Sequence, residues 1–181
     1  MPVDASSAAR VSRQPDPVAG VLCGLVAGAA YLVAQTSLSV AMQGGSPWAP
    51  VQRIAAMLLG DDAAPPAEFS FVTLGLALLI HFTLSIVYGR IVDWAVDRGS
   101  LVQGASRGAA VGAALYLIDF WLLAPLLFPW FEQSSRLATP VDHLLFGAVA
   151  GVSCVLIRRL RGSAAGRARE STNSPNEFGQ I

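Results

Sequence analysis

The sequence predicts an all-α integral membrane protein: a four-helix bundle, N-in/C-in, with a short interfacial helix on the outer surface. Three observations carry that prediction. Hydrophobic residues fill 54% of the 181 positions and charged residues only 13%, about half the charged share of soluble domains. Four stretches stay apolar over the roughly 20 residues that a helix needs to cross a bilayer. The basic side chains are all arginine, since the chain has no lysine, and they gather in alternate connections.

Residues 1–17 form a polar tail ahead of the first span, 18–42. That span is longer than the core of a secretory signal, so it is read as a retained helix. In lipid the backbone must satisfy its own hydrogen bonds, which makes each span a helix. The next loop holds SPWAPVQRIAAMLLG (46–60). Ser46 is placed as its N-cap, Pro47 at the first helical position and Gly60 beyond the end. Trp48, Val51, Ile54, Ala55, Leu58 and Leu59 recur at helical spacing, which predicts an interfacial helix over 46–59. A re-entrant loop is disfavoured, because Arg53 would then need a partner at depth.

The second span is placed at 69–92 with Arg90 near its edge. The alternative is a helix running on through IVDWAVD (91–97), with Arg90 snorkelling or paired to Asp93 or Asp97. The third span, 105–128, carries Asp119 and then Pro125, which is expected to kink it. FPWF (128–131) reads as an aromatic anchor. The fourth span is 138–157, closing a membrane domain over 18–160. Residues 161–181 are polar and irregular, and are expected to be disordered.

Arginine placement orients the bundle. Arg10 and Arg13 precede the first span, and Arg90, Arg98 and Arg107 flank the link between the second and third. Arg158, Arg159, Arg161, Arg167 and Arg169 follow the fourth, leaving only Arg53 and Arg136 in the other loops. This positive-inside bias puts both termini in the cytoplasm. The net charge is zero and gives no reason to expect a nucleic-acid partner.

Small residues are expected at the helix contacts, because lipid supplies no hydrophobic drive for association. Gly20, Gly24 and Gly28 line one face of the first span; Gly104, Gly108 and Gly112 lead into the third; Gly147 and Gly151 mark the fourth. The second has the looser ladder Thr73, Ala77, His81, Ser85, Gly89. A weak internal repeat follows from this. Each odd span carries GxxxG and precedes a Pro-Trp, and each even span carries a histidine eight residues before a glycine, His81 to Gly89 and His143 to Gly151.

Ionisable groups inside a membrane are candidates for function, with a partner to be named. Here they are Asp119, His81 and His143. Gly108, Gly112, Tyr116 and Asp119 share one face, so Asp119 should point inward. It lies about 18 Å along the helix from Arg107, and Tyr31 about 20 Å from Val18, which makes the Tyr31 hydroxyl its expected partner. Gln35 lies one turn beyond Tyr31. Each group also has a purely structural reading: a carboxyl joining helices, a His81 bonded to Ser85 or a neighbouring helix, a His143 at the wet interface. Cys23 and Cys154 are expected to pack as small hydrophobes and not as a disulfide. No CxxC, Walker, HExxH, GxSxG or EF-hand pattern gives soluble-enzyme chemistry a foothold.

The segments PWAPVQRIAAMLLG, HFTLSIVYG, APLLFPWF and HLLFGAVAG, over roughly residues 18–160, resemble a family of uncharacterised bacterial inner-membrane proteins with four helices. The resemblance implies a location and a helix count, and no activity. The expectation is therefore a non-enzymatic inner-membrane protein in the lipid bilayer, an accessory or oligomeric subunit or a small carrier. It needs no cofactor, and a homo-oligomer or a membrane complex is the expected company, with the GxxxG faces available for dimerisation. The competing expectation is a redox subunit in which His81 and His143 hold a b-type haem or a metal between facing helices.

Overall fold

The computed structural model describes residues 16–43, 46–60, 68–96, 99–128 and 138–173, and among them every regular element is helical. Helix α1 covers Pro17–Gln43, α2 Ala49–Leu59, α3 Phe71–Ala95, α4 Leu101–Leu127 and α5 Ala138–Asn173. All but α2 are long and apolar enough to span a membrane. The termini of the bundle, the end of α3 and the start of α4 share one end; α2 sits at the other.

Local chemistry sets the boundaries. Helix α2 starts three residues later than its sequence pattern implied. Ser46 Oγ accepts from the Trp48 amide at 3.2 Å, so it shapes the turn before the helix, and Trp48 is the capping residue. Gly60 ends it at φ 84°, a left-handed conformation that costs glycine little. Helix α3 begins after Ser70, whose hydroxyl accepts from the Thr73 amide at 3.4 Å. It continues through Asp93 to Ala95, the longer of the two expected alternatives. Helix α4 begins four residues before 105, because Ser100 and Gln103 form a reciprocal capping box.

One expectation gains a feature and another needs correction. Ahead of Pro125, α4 winds as a π-helix over Ile118–Leu123, in which the Ala124 amide bonds back to the Asp119 carbonyl. Proline lacks an N–H and crowds the carbonyl four residues earlier; a widened turn relieves both within a continuous helix. The tail is helical through residue 173, not disordered from 161. Alanine and arginine are strong helix formers, and extending a formed helix escapes the nucleation penalty. Residues 129–131 of the aromatic anchor, and 174–181, lie outside the described residues.

The glycines do the packing, and they do it twice in the same way. In α4, Gly104, Gly108 and Gly112 face the backbone of Gly151, Gly147 and His143 of α5. In α1, Gly24 and Gly28 face Ser85, and Gly89 of α3 lies against Gly24. Each hairpin thus sets a GxxxGxxxG face against a histidine ladder, His81-Ser85-Gly89 or His143-Gly147-Gly151, as the proposed repeat requires. The symmetry is broken between hairpins: α1 packs closely on α5, whereas α3 and α4 touch sparsely. These glycine faces are occupied by packing within the chain.

The α1–α5 contact contains a second departure. Cys23 and Cys154 are joined as a disulfide, with Cα atoms 5.3 Å apart, inside the range a disulfide spans. Ala27 and Ala150 are fully buried beside them, and side chains this small let the helix axes approach. At the same end Asp93 pairs with Arg158, not with Arg90.

Asp16 ties the start of α1 to α5. Its Oδ1 accepts from the Val18 and Ala19 amides, both at 3.1 Å, and its Oδ2 from Arg161 Nε at 2.8 Å. Partial burial pushes its pKa up, but the Arg161 and amide hydrogen bonds outweigh that and hold it below the ordinary aspartate value. The stabilisation is therefore present above the unfolded-state pKa and lost as pH falls through the lower folded value. Asp16→Asn is expected to lower the melting temperature slightly at neutral pH, by under about 1 kcal/mol for so exposed a pair. The gap from wild type should close as melts are repeated in acid.

Candidate functional site

Where α3 and α4 part, a cavity of about 430 Å³ opens, walled by α1, α2, α3 and α4 and closed by His143 of α5. Its size is that of a small-molecule pocket. Leu32, Leu38, Ile80, Leu84, Leu123 and Leu127 make its walls apolar. Polar groups gather at the floor, nearer the end with the termini.

Asp119 lies at the centre of that floor. It accepts the Tyr88 hydroxyl through both oxygens, at 2.7 and 2.9 Å, and His143 Nε2 lies 3.4 Å from its Oδ2. The partner expected from the sequence, Tyr31, is not the one found. Tyr31 instead takes a 3.3 Å hydrogen bond from Gln35 Nε2, and Gln35 also donates to Asp142 Oδ2. The π-helical turn carries Asp119 toward α3, and α3 runs past Arg90, which brings Tyr88 level with it. Tyr88 continues the face of His81 and Ser85 at helical spacing; that was the signal available in the sequence.

His81 is buried, with Nε2 2.9 Å from the Gly28 carbonyl. Ser85 Oγ donates to the His81 carbonyl at 2.7 Å and leaves the imidazole untouched. The Tyr31 ring packs against both histidines, its centroid 5.8 Å from His81 and 6.1 Å from His143. That arrangement does not fit a haem clamped by both imidazoles: a tyrosine ring packs on each of them, and each Nε2 already faces an oxygen. Among the described residues no group of three or more His, Cys, Asp or Glu side chains could hold a metal ion.

The floor therefore brings together Asp119 and His143 with Tyr88, and sets Tyr31, His81, Ser85 and Gln35 around it. Asp119 keeps 19% of its side-chain surface exposed and His143 12%, and both line the cavity. Arg53, placed by the sequence on the membrane surface, lines it too. No family model, curated protein or solved structure matches the chain.

Proposed function

We propose that the chain is a non-enzymatic multi-pass protein of a bacterial inner membrane, a small carrier that draws an amphiphilic molecule from the bilayer into this cavity. Four spanning helices support the membrane assignment, and the arginines around the α3–α4 link and along α5 support cytoplasmic termini. The observation that carries the carrier reading is the open floor. A carboxyl that only joined helices would be sealed by its neighbours, whereas Asp119 meets a void with apolar walls. The sparse α3–α4 contact provides lateral entry from lipid.

Asp119 and His143 place polar groups at the closed end of an otherwise apolar cavity, where the end of a bound chain must meet them and strip them of water. Tyr88 and Tyr31 face the pair from α3 and α1, and Asp142 flanks it from α5. Protein purified in mild detergent is expected to retain a bound amphiphile through washing. Asp119→Asn, which makes the floor beneath the chain end less polar, should raise the amount retained, and an unchanged amount in the variant would refute the role given to Asp119. Leu84→Trp, which fills the cavity, should abolish retention altogether; wild type that retains nothing, or a Leu84→Trp variant that retains as much, defeats the carrier reading.

A further inference from the structure

The cavity-facing residues of α2 are Pro50, Arg53, Ile54, Met57 and Leu58, one face at i, i+3, i+4, i+7 and i+8. The adjacent face, Val51 and Ala55, is packed on Ala77 of α3. Arg53 is thus held on the cavity side by the docking of its helix, half-buried. Its guanidinium makes no hydrogen bond or ion pair with any described residue. A partly buried arginine with five donors and no partner among the described residues, facing an apolar void, is suited to receive an anion.

We propose that Arg53 receives the anionic head, a carboxylate or a phosphate, of a single-chain amphiphile whose chain runs down the cavity toward Tyr88 and Asp119. This rests on the carrier reading and names its ligand class. Charge sets the direction of insertion: the acidic floor repels an anion, and the arginine near the other end attracts it. Length follows from the helix. Ala77, where α2 docks, and Tyr88, at the floor, are 11 residues apart on α3, about 16 Å at 1.5 Å per residue. At roughly 1.2 Å per bond of extended chain, this admits about 13 carbons. A planar guanidinium matches both head groups through paired N–H donors.

The full chain in detergent is titrated with four 14-carbon probes and read by native mass spectrometry. They are tetradecanoate, the tetradecanoyl lysophosphatidate, tetradecanol and tetradecyltrimethylammonium. Wild type is expected to bind at least one anionic probe about tenfold or more tighter than the cation. Arg53→Gln should lose that preference while still binding tetradecanol, and Arg53→Lys should recover part of it. Binding of tetradecanoate alone identifies a free fatty acid as the ligand source; binding of the lysophosphatidate alone identifies a lipid head group. Anion binding unchanged in Arg53→Gln, or equal binding of anion and cation, overturns the proposal while leaving the carrier reading intact. Failure of all four probes to bind wild type overturns both. Arg53→Gln removes no hydrogen bond or ion pair with a described residue, so unchanged helix content by circular dichroism should accompany the loss.

Discussion

Replacing Arg158 with alanine is expected to destabilise the bundle by about 3–5 kcal/mol, because it strands a buried aspartate. Asp93 is 2% exposed and Arg158 9%. Arg158 Nη2 lies 2.6 Å from Asp93 Oδ1. The same guanidinium also closes helix α3: Nη1 donates to the Val96 carbonyl and Nη2 to that of Asp93, both at 2.6 Å. The last carbonyls of a helix have no partner of their own, so the substitution removes an ion pair and a helix cap together. At roughly 2–4 °C per kcal/mol for a chain of this size, the melting temperature in detergent should fall by about 6–20 °C. The double variant Asp93→Leu/Arg158→Leu removes both charges and should recover much of that loss. A melt of Arg158→Ala within about 2 °C of wild type would show that the pair carries no structural weight.

Gly108→Val should have the next largest effect, and it should reach the cavity. A Cβ at Gly108 would overlap the Gly147 carbonyl and come within 3.0 Å of the Gly151 Cα. Both obstacles are backbone, so no rotamer change relieves them and α4 must move away from α5. Overpacking of this kind costs about 1–3 kcal/mol, occasionally more. One turn on, Gly112 lies against the His143 carbonyl, so separation also pulls His143 from Asp119. The expected result is a lower melting temperature together with reduced ligand retention. Gly75→Ala serves as the control: nothing lies within 4 Å of its added methyl, and it should be neutral or stabilise by up to about 1 kcal/mol. Equal melting of the two variants would argue against close α4–α5 packing.

What could be read from the sequence was whatever depends on one helix at a time. The four spans follow from apolar length, α2 from its spacing, and the inward face of Asp119 from its glycine neighbours. Helix starts differ by up to four residues where side-chain caps set them, as at Ser100 and Gln103, and α5 runs 16 residues past the expected end of its span, from 157 to 173. The partner of Asp119 was not accessible in this way. Counting depth from the arginines assumed that helices start level and run straight. In the structure α3 runs past Arg90, and six residues of α4 wind as a π-helix, so Tyr88 and not Tyr31 meets the carboxylate. Cys23 and Cys154, 131 residues apart in sequence, gave no local sign of pairing.

By itself the sequence determined that this chain is a helical membrane protein with inward-facing polar residues, because bilayer thickness and backbone hydrogen bonding act on each segment separately. The tertiary structure alone decided where those residues meet. Two hairpins with the same glycine grammar closed against each other on the α1–α5 side and stayed apart on the α3–α4 side. That asymmetry puts Asp119, His143 and Tyr88 at the floor of a cavity and Arg53 on its wall. Its physical reason is that contact between helices depends on register, winding and the size of side chains on both partners at once, which no single segment encodes.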